Sequence, residues 1–256
     1  MEKTTIYGKK QLEPGNSELI DFANFTLGIK RHTEGWFIKA FEKDDNNLEV
    51  NIDEITSGTY FHTGKSNTII LAPALPAKPM VLKGSRLVIS PHQRLTFYVK
   101  VPLMLQLYSA KKLDENLLTE IPFQRISDTW FGEPVNGEAA YALDSEQYLD
   151  LKEIGSDENY AVCPINIHNN NDSPLEIERL ILRVDQMNLL RFNGYIITSL
   201  VKLEYKGTNL LSSVNYGFSK TLHGENHEII AKPRNPEGKS LLKINFHFIK
   251  NIYRSE

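Results

Sequence analysis

The stretch LTFYVKVPLMLQLY, residues 95–108, places an apolar side chain at every second position. The apolar positions of this period are Leu95, Phe97, Val99, Val101, Leu103, Leu105 and Leu107. Because successive side chains of a strand point to opposite faces, the period predicts one long strand, or two strands joined at Pro102, with one face in a hydrophobic core. We expect Thr96, Lys100 and Gln106 to lie on the other face.

Two later segments have the same period, IITSLVKLEY at residues 196–205 and LLKINFHF at residues 241–248. Groups of Gly, Asn, Asp and Ser, which are typical of turns, separate the apolar runs at short intervals. This pattern predicts a mainly β protein with an antiparallel, sandwich-like architecture and little helix. A polar segment at residues 146–157 is predicted to connect two β halves, an N-terminal domain at residues 1–145 and a C-terminal domain at residues 158–256.

Residues 173–190 fit two kinds of element. Ser173 as an N-cap, Pro174 in the first turn and apolar residues at helical spacing indicate a helix. The polar run HNNNDS followed by a segment rich in Ile and Leu instead indicates a turn and a returning strand. We predict the strand, with the helix as the alternative.

The composition is that of a folded protein, with 41% hydrophobic and 24% charged residues among 256. The net charge is -3, so the chain has no excess of positive charge to neutralise the phosphates of a nucleic acid, and we expect no nucleic-acid partner. The start MEKTTIYGKKQLEPG lacks the plan of a signal peptide, and no apolar run reaches the roughly 20 residues of a membrane span. These features predict a cytoplasmic protein without membrane insertion. The single cysteine, Cys163, excludes an internal disulfide and a multi-cysteine metal site.

Asn136-Gly137 is the strongest local signal for a β-hairpin, because a type I′ turn needs two residues that tolerate positive φ. A two-residue turn at this site would pair Gly132 with Tyr141 and Trp130 with Leu143. Trp130, Tyr141 and Leu143 would then share one face, and the tyrosine ring would cover the bare backbone of the glycine.

The side chains of this hairpin predict a surface that binds another protein, because aromatic and arginine anchors among polar groups are typical of interfaces. The predicted interaction surface consists of Arg125, Asp128, Trp130, Phe131, Glu133, Glu138 and Tyr141. The alternative is a carbohydrate-active or glycan-binding protein that uses Glu133 and Glu138 beside Trp130. Two carboxylates on a diagonal of the hairpin would have about the 6.5–9.5 Å separation of an inverting glycosidase. We predict the binding function, without catalytic residues.

Three further segments resemble ligand or catalytic motifs without fitting them. His223 and His227 have the spacing of zinc ligands on a helix, but the Gly and Asn between them predict a solvated loop, and no third ligand is apparent. GTYFHTGKS has five residues between its glycines where a phosphate loop has four, so no cofactor is expected. Cys163 and His168 would lie on opposite faces of one strand, which predicts a buried, inert thiol.

Four blocks of this sequence, taken in order, resemble the prokaryotic domain-of-unknown-function family 432. They are WFGEPVNGEAAYAL, VCPINIHNNNDSPLEIERLILRV, GYIITSLVKLEYKG and AKPRNPEGKSLLKINF. The most specific residues of the resemblance are Trp130, Phe131, Gly132, Pro134, Gly137, Glu138, Tyr141, Cys163, Pro164, Ile165, Asn169, Leu175, Glu178, Arg179, Leu180, Pro233 and Arg234.

The resemblance implies no assigned reaction, because the family is uncharacterised. It also carries an association with small-conductance mechanosensitive channels through neighbouring genes. On that ground we expect a regulatory or accessory module whose partner is another protein. An exposed edge strand would also allow two copies of the chain to pair as a homodimer.

Overall fold

A computed structural model of the chain describes residues 5–43, 50–132, 134–207, 213–225 and 227–236. The strands in chain order are β1 (Gly8–Gln11), β2 (Ser17–Asp21), β3 (Phe25–His32), β4 (Gly35–Glu42), β5 (Thr59–His62), β6 (Thr68–Ala74), β7 (Met80–Ile89), β8 (Arg94–Pro102), β9 (Met104–Ser109), β10 (Leu117–Pro122), β11 (Asp128–Phe131), β12 (Glu138–Asp144), β13 (Tyr160–Asn169), β14 (Leu175–Leu182), β15 (Leu189–Phe192), β16 (Tyr195–Thr198), β17 (Leu200–Tyr205), β18 (Ser213–Gly217) and β19 (Glu228–Ala231).

Within the described residues, helical structure is confined to short segments. They are the α-helix α1 (Lys220–His223) and the 3-10 helices Ile52–Ser57, Asp114–Asn116, Leu151–Glu153 and Val184–Gln186. Strands account for 54% of the described residues and helices for 9%. The prediction of a mainly β, sandwich-like architecture with little helix is therefore confirmed.

The chain forms two compact units, and both are assembled from separated pieces of sequence. The first contains Met1–Ala74 and Pro102–Arg125, and the second contains Leu75–Val101 and Ile126–Glu256. Residues 146–157, the predicted connection, lie inside the second unit. The two units therefore differ from the predicted halves, because β7 and β8 pair with strands that follow much later in the chain.

The first unit contains two four-stranded antiparallel sheets, with the strand orders β1-β6-β9-β10 and β2-β3-β4-β5. The central strands β3 and β9 are buried along most of their length, and Leu27 and Ile29 of β3 and Leu105 and Leu107 of β9 have no exposed surface. One charged side chain, Arg31, is also buried. Its guanidinium donates to the carbonyl oxygens of nearby loops, so this charge has a structural role.

The second unit contains a sheet with the order β11-β12-β7-β14 and a larger sheet with the order β18-β17-β13-β16-β15-β19, in which β8 also pairs with β13. Among the strand pairs that the described residues of this unit define, those of β12 with β7, β13 with β16 and β13 with β17 are parallel. The prediction of antiparallel pairing therefore describes most but not all of the ladders. The sequence pattern missed the parallel pairs because alternation reports faces and not strand direction.

The period-two run of residues 95–108 becomes the two strands β8 and β9, which meet after Pro102 and belong to different units. The predicted core positions from Phe97 to Leu107 have no exposed surface. On the other face, Gln106 is also buried, which the sequence did not predict. Its amide donates to Glu120 and accepts from the Tyr108 hydroxyl, so its burial leaves no polar atom of the amide without a partner.

Residues 173–190 contain the strand β14, antiparallel to β7, and the strand prediction is confirmed. A β-bulge between Ile177 and Arg179 shifts the register of β14. The bulge moves the buried positions from Ile177 to Leu180, a spacing of three residues. A spacing of three residues is close to the repeat of an α-helix, which is why the sequence also indicated a helix here.

The other two segments with a period of two differ in outcome. Residues 196–205 form β16 and β17, and the predicted core positions Ile197, Val201 and Leu203 are buried. Residues 241–248 lie outside the described residues.

Candidate functional site

The predicted hairpin exists, but its register is different from the prediction. Strands β11 and β12 pair in antiparallel fashion with Trp130 opposite Ala139, whereas a two-residue turn would have placed Trp130 opposite Leu143. The connection therefore begins at Gly132, four residues before the Asn136-Gly137 pair. Gly132 has a φ of 102°, which turns the chain out of the extended conformation, and Pro134 has the fixed φ of a turn residue.

The shift of four residues is even, so each side chain keeps the face that the sequence predicted. Trp130, Tyr141 and Leu143 do share a face, but Tyr141 pairs with Asp128 and not with Gly132. Leu143 is buried, Tyr141 is half-buried and Trp130 is 46% exposed. The proposed cover of Gly132 by the tyrosine ring is therefore wrong.

Phe131 fixes the other face of the hairpin. It packs against a cluster of Val81, Ala140 and Ile181, which come from β7, β12 and β14. All three residues of this cluster are almost fully buried. The neighbouring Trp130 points to the opposite face, so the packing of Phe131 against this cluster orients the exposed indole.

Arg179 of β14 holds strand β11. Its Nη2 donates to the carbonyl oxygen of Trp130 at 2.7 Å, and its guanidinium lies 5.6 Å from the centre of the Phe131 ring. A guanidinium at this distance from an aromatic ring gains cation–π attraction in addition to the hydrogen bond. Arg179 therefore fixes the backbone at Trp130 directly.

Arg183, which follows β14, holds strand β12. Its Nη1 and Nη2 donate to the two carboxylate oxygens of Glu138 at 3.0 and 2.6 Å. Burial alone would lower the pKa of Arg183, but the Glu138 carboxylate outweighs this effect and the pKa is raised. Bidentate pairing of this kind is geometrically specific, so the two arginines together pin both strands of the hairpin.

A second basic contact lies on the Trp130 face. Lys78 donates to Asp128 at 2.8 Å, and its ammonium lies 4.8 Å from the centre of the Tyr141 ring. The hydrogen bond to Asp128 raises the pKa of Lys78. The polar groups beside Trp130 are thus an ion pair and a phenol, both open to solvent at their edges.

The hairpin surface is defined by the residues of the second unit that these contacts connect. They are Lys78, Asp128, Trp130, Phe131, Glu138, Tyr141, Arg179 and Arg183. Of the predicted interaction residues, Arg125 is exposed but belongs to the first unit, and Glu133 lies outside the described residues.

Sequence reasoning did not select Lys78, Arg179 and Arg183 for this surface. A signal for the arginines was present, because ERLILR places Arg179, Ile181 and Arg183 at alternate positions of one strand. Their contact with the hairpin required the fold, since the hairpin lies more than 40 residues earlier in the chain.

The geometry works against the glycosidase alternative. Both oxygens of Glu138 accept hydrogen bonds from Arg183, so a sugar would compete with this guanidinium for the carboxylate. Within the described part of the chain, no three His, Cys, Asp or Glu side chains cluster in a way that could hold a metal ion.

Two other residues considered in the sequence are buried. His223 has no exposed surface, so the prediction of a solvated loop at this position is wrong. Cys163 lies in β13 and is fully buried, and burial raises the pKa of its thiol to about 12. A thiol with this pKa is not a nucleophile at neutral pH, as predicted.

Residues 6–250 match the model of one protein family, which is described as a protein of unknown function (DUF432). The chain belongs to this family. The resemblance expected from the sequence blocks is thereby confirmed, and the match includes the hairpin and both arginines of the hairpin surface. Comparisons with curated proteins and with solved structures give no match. Among the described residues, no helix is long and apolar enough to span a membrane.

Proposed function

We propose that the protein is a non-catalytic binding module whose docking site is the Trp130 face of the hairpin surface, with Lys78, Asp128 and Tyr141 beside the indole. The observation that carries this proposal is the exposed indole of Trp130 on a hairpin whose two strands are each held by an arginine. A large aromatic side chain on a preorganised backbone loses little conformational entropy when a partner covers it.

The chemistry of the surface favours a protein as the partner. Trp130 supplies an apolar anchor, while Lys78, Asp128 and Tyr141 supply polar groups at its rim. This combination of a central aromatic anchor and a polar rim is typical of protein interfaces. A regulatory or accessory role at a small-conductance mechanosensitive channel, in the cytoplasm, is the specific form of the proposal that the family resemblance suggests.

The test compares partner capture by three forms of the protein. Wild type, Trp130→Ala and Leu149→Ala are immobilised, exposed to cell lysate and analysed by quantitative mass spectrometry. Leu149 is the matched control, because it is an apolar side chain of the second unit that is 69% exposed and lies outside the hairpin. Proteins retained by wild type and Leu149→Ala but lost from Trp130→Ala are the expected result.

A direct measurement follows with the purified cytoplasmic portion of the channel as the first candidate. Loss of a central tryptophan anchor is expected to cost about 2 kcal/mol of binding free energy, or roughly a 30-fold rise in Kd. Circular dichroism and the thermal transition establish that each variant is folded. Equal capture of all partners by folded Trp130→Ala and wild type would contradict the proposed surface.

Self-association is measured in parallel, because an edge strand could also pair two copies of the chain. Sedimentation of the wild type over a range of concentrations separates a homodimer from a complex with another protein.

A further inference from the structure

The ring of His223 is buried between two backbone segments of the second unit. The Ser219 N–H donates to Nδ1 of the ring at 2.9 Å, and Nε2 lies 2.9 Å from the carbonyl oxygen of Thr198. Ser219 precedes α1, and Thr198 ends β16. The ring therefore connects the start of the helix to the junction between β16 and β17.

Only one protonation state of the ring makes both hydrogen bonds. A carbonyl oxygen can only accept, so Nε2 carries a hydrogen, and Nδ1 must be bare to accept from Ser219. Protonation of Nδ1 would place two N–H donors opposite each other, and the hydrogen bond between Ser219 and the ring would be lost. Burial independently lowers the pKa of His223 and thus favours the same neutral ring.

The connection through the ring is important for α1 because the helix has little else at its start. The Ser219 hydroxyl makes no capping hydrogen bond. On the helix itself, Leu222 packs against the core cluster around Tyr98 and Leu190, and Gly224 ends the helix with a positive φ of 71°. Loss of the His223 contact would leave a four-residue helix held by Leu222 and by the contact of Gly224 with the Phe192 ring, and a helix of this length does not persist alone.

The charged groups around the ring do not compensate an imidazolium. The His227 ring is 6.3 Å away between centroids, and its charge lowers the pKa of His223 further. Lys220 pairs with Glu225 at the exposed end of the segment. Cys163 of β13, which hydrogen-bonds the Thr198 side chain, stays neutral. Among the described residues, no carboxylate forms an ion pair with His223.

We propose that His223 is an acid-sensitive latch, whose protonation releases residues 218–224 from the β16–β17 junction while the remainder of the second unit stays folded. The opening would expose Leu222 and more of Phe218, whose ring already contacts both His223 and His227. This inference does not depend on the proposed binding function, because it concerns a different part of the second unit.

The sign of the pH effect follows from the neutral ring in the closed state. Above the ordinary histidine pKa of about 6.5, both closed and open states carry a neutral ring and the closed state is fully favoured. Below that value the open state takes up a proton that the closed state resists, so closure weakens as the pH falls. Between pH 7.5 and pH 5.0 the opening equilibrium is expected to rise by up to about 30-fold.

Hydrogen exchange measured by mass spectrometry on the full chain tests the latch. Peptides that cover residues 218–224 are compared at pH 7.5 and 5.0 with a reference peptide that covers residues 94–101 of β8, after correction for the intrinsic pH dependence of exchange. The expected result is loss of protection in the first peptide and unchanged protection in the second. Equal behaviour of the two peptides would overturn the proposal.

Two matched variants assign the effect to one ring. His223→Gln can still accept from Ser219 and donate to Thr198 but does not titrate, so it is expected to lose the acid response. His227→Gln, a control on the adjacent ring, is expected to keep most of it. An acid response in His223→Gln equal to that of wild type would overturn the proposal.

A measurement on the wild type keeps the test independent of whether His223→Gln folds. Nuclear magnetic resonance follows the His223 ring and the Ser219 amide during the same titration. A shared midpoint supports the latch, and a Ser219 amide that does not respond to protonation of the ring overturns it.

Discussion

Arg183 and Arg86 each form an ion pair with a glutamate, but the surroundings of the two pairs differ. Arg183 is 19% exposed and binds both oxygens of Glu138, whereas Arg86 and Glu176 are each at least half exposed. Exposed pairs are hydrated and contribute little, while a half-buried bidentate pair leaves an unsatisfied carboxylate when its partner is removed. At the scale of the residue, the contribution of an arginine is therefore set by what surrounds it.

Replacement of Arg183 by Met is expected to lower the free energy of unfolding by about 2 kcal/mol, because Glu138 loses two charge-assisted hydrogen bonds. Arg86→Met is the matched control and is expected to change it by no more than about 0.5 kcal/mol. Urea unfolding monitored by circular dichroism measures both. Equal midpoints for the two variants would contradict the assigned role of Arg183.

The chain contains two Asn-Gly pairs next to strands, Asn136-Gly137 and Asn193-Gly194, and only the second forms a two-residue turn. Asn193-Gly194 forms the two-residue turn between β15 and β16, with φ values of 49° and 81° and with Phe192 opposite Tyr195. Asn136-Gly137 instead lies at the end of a longer connection. The difference follows from contacts of β11, since Arg179 and the partly buried Phe131 fix that strand in its own register.

The register of β11 and β12 can be tested with paired cysteines. Ala142 N donates to the Ser127 carbonyl at 2.8 Å, so the neighbouring Asp128 and Tyr141 form a pair without mutual hydrogen bonds. Their Cα atoms are then about 4.5 Å apart, which suits a disulfide. Oxidation of Asp128→Cys/Tyr141→Cys is expected to give a near-complete bridge.

The matched control is Thr129→Cys/Asp144→Cys, a pair that a two-residue turn would place opposite each other but that the observed register separates by four residues. It is expected to remain reduced under the same conditions. Alkylation followed by mass spectrometry counts the free thiols, with the buried Cys163 as an internal reference. A bridge in the control pair alone would show that the tight turn is the correct one.

At the scale of the whole molecule, strand pairing and chain order do not coincide. The segment Leu75–Val101 belongs to the second unit although the chain on both sides of it belongs to the first. Within this segment, β7 pairs with β14 along most of its length, from Ile89 opposite Leu175 to Met80 opposite Leu182. A cut at any single position therefore cannot separate the two units.

Truncation tests this organisation. A fragment of residues 158–256, the predicted C-terminal domain, lacks β7 and β8 and would expose the apolar face of β14 that these strands help to bury. It is expected to show no cooperative thermal transition. A fragment of residues 75–256 keeps every described strand of the second unit and is expected to retain one. Circular dichroism during heating compares them, and a cooperative transition in the shorter fragment would contradict the assignment of β7 and β8.

The sequence by itself determined the features that depend on neighbouring residues. Alternation predicted the buried face from Phe97 to Leu107, and it predicted that Cys163 is a buried thiol. These features follow from backbone geometry and side-chain period, which a short segment carries within itself.

Only the tertiary structure decided which distant segments meet. The hairpin register could shift by four residues without changing any face, so alternation could not select it. The pairing of Glu138 with Arg183, the burial of His223 and the division of β8 and β9 between two units likewise depend on residues far apart in the chain. Such contacts are fixed by the packing of whole sheets, so they cannot be predicted from the pattern of a short segment.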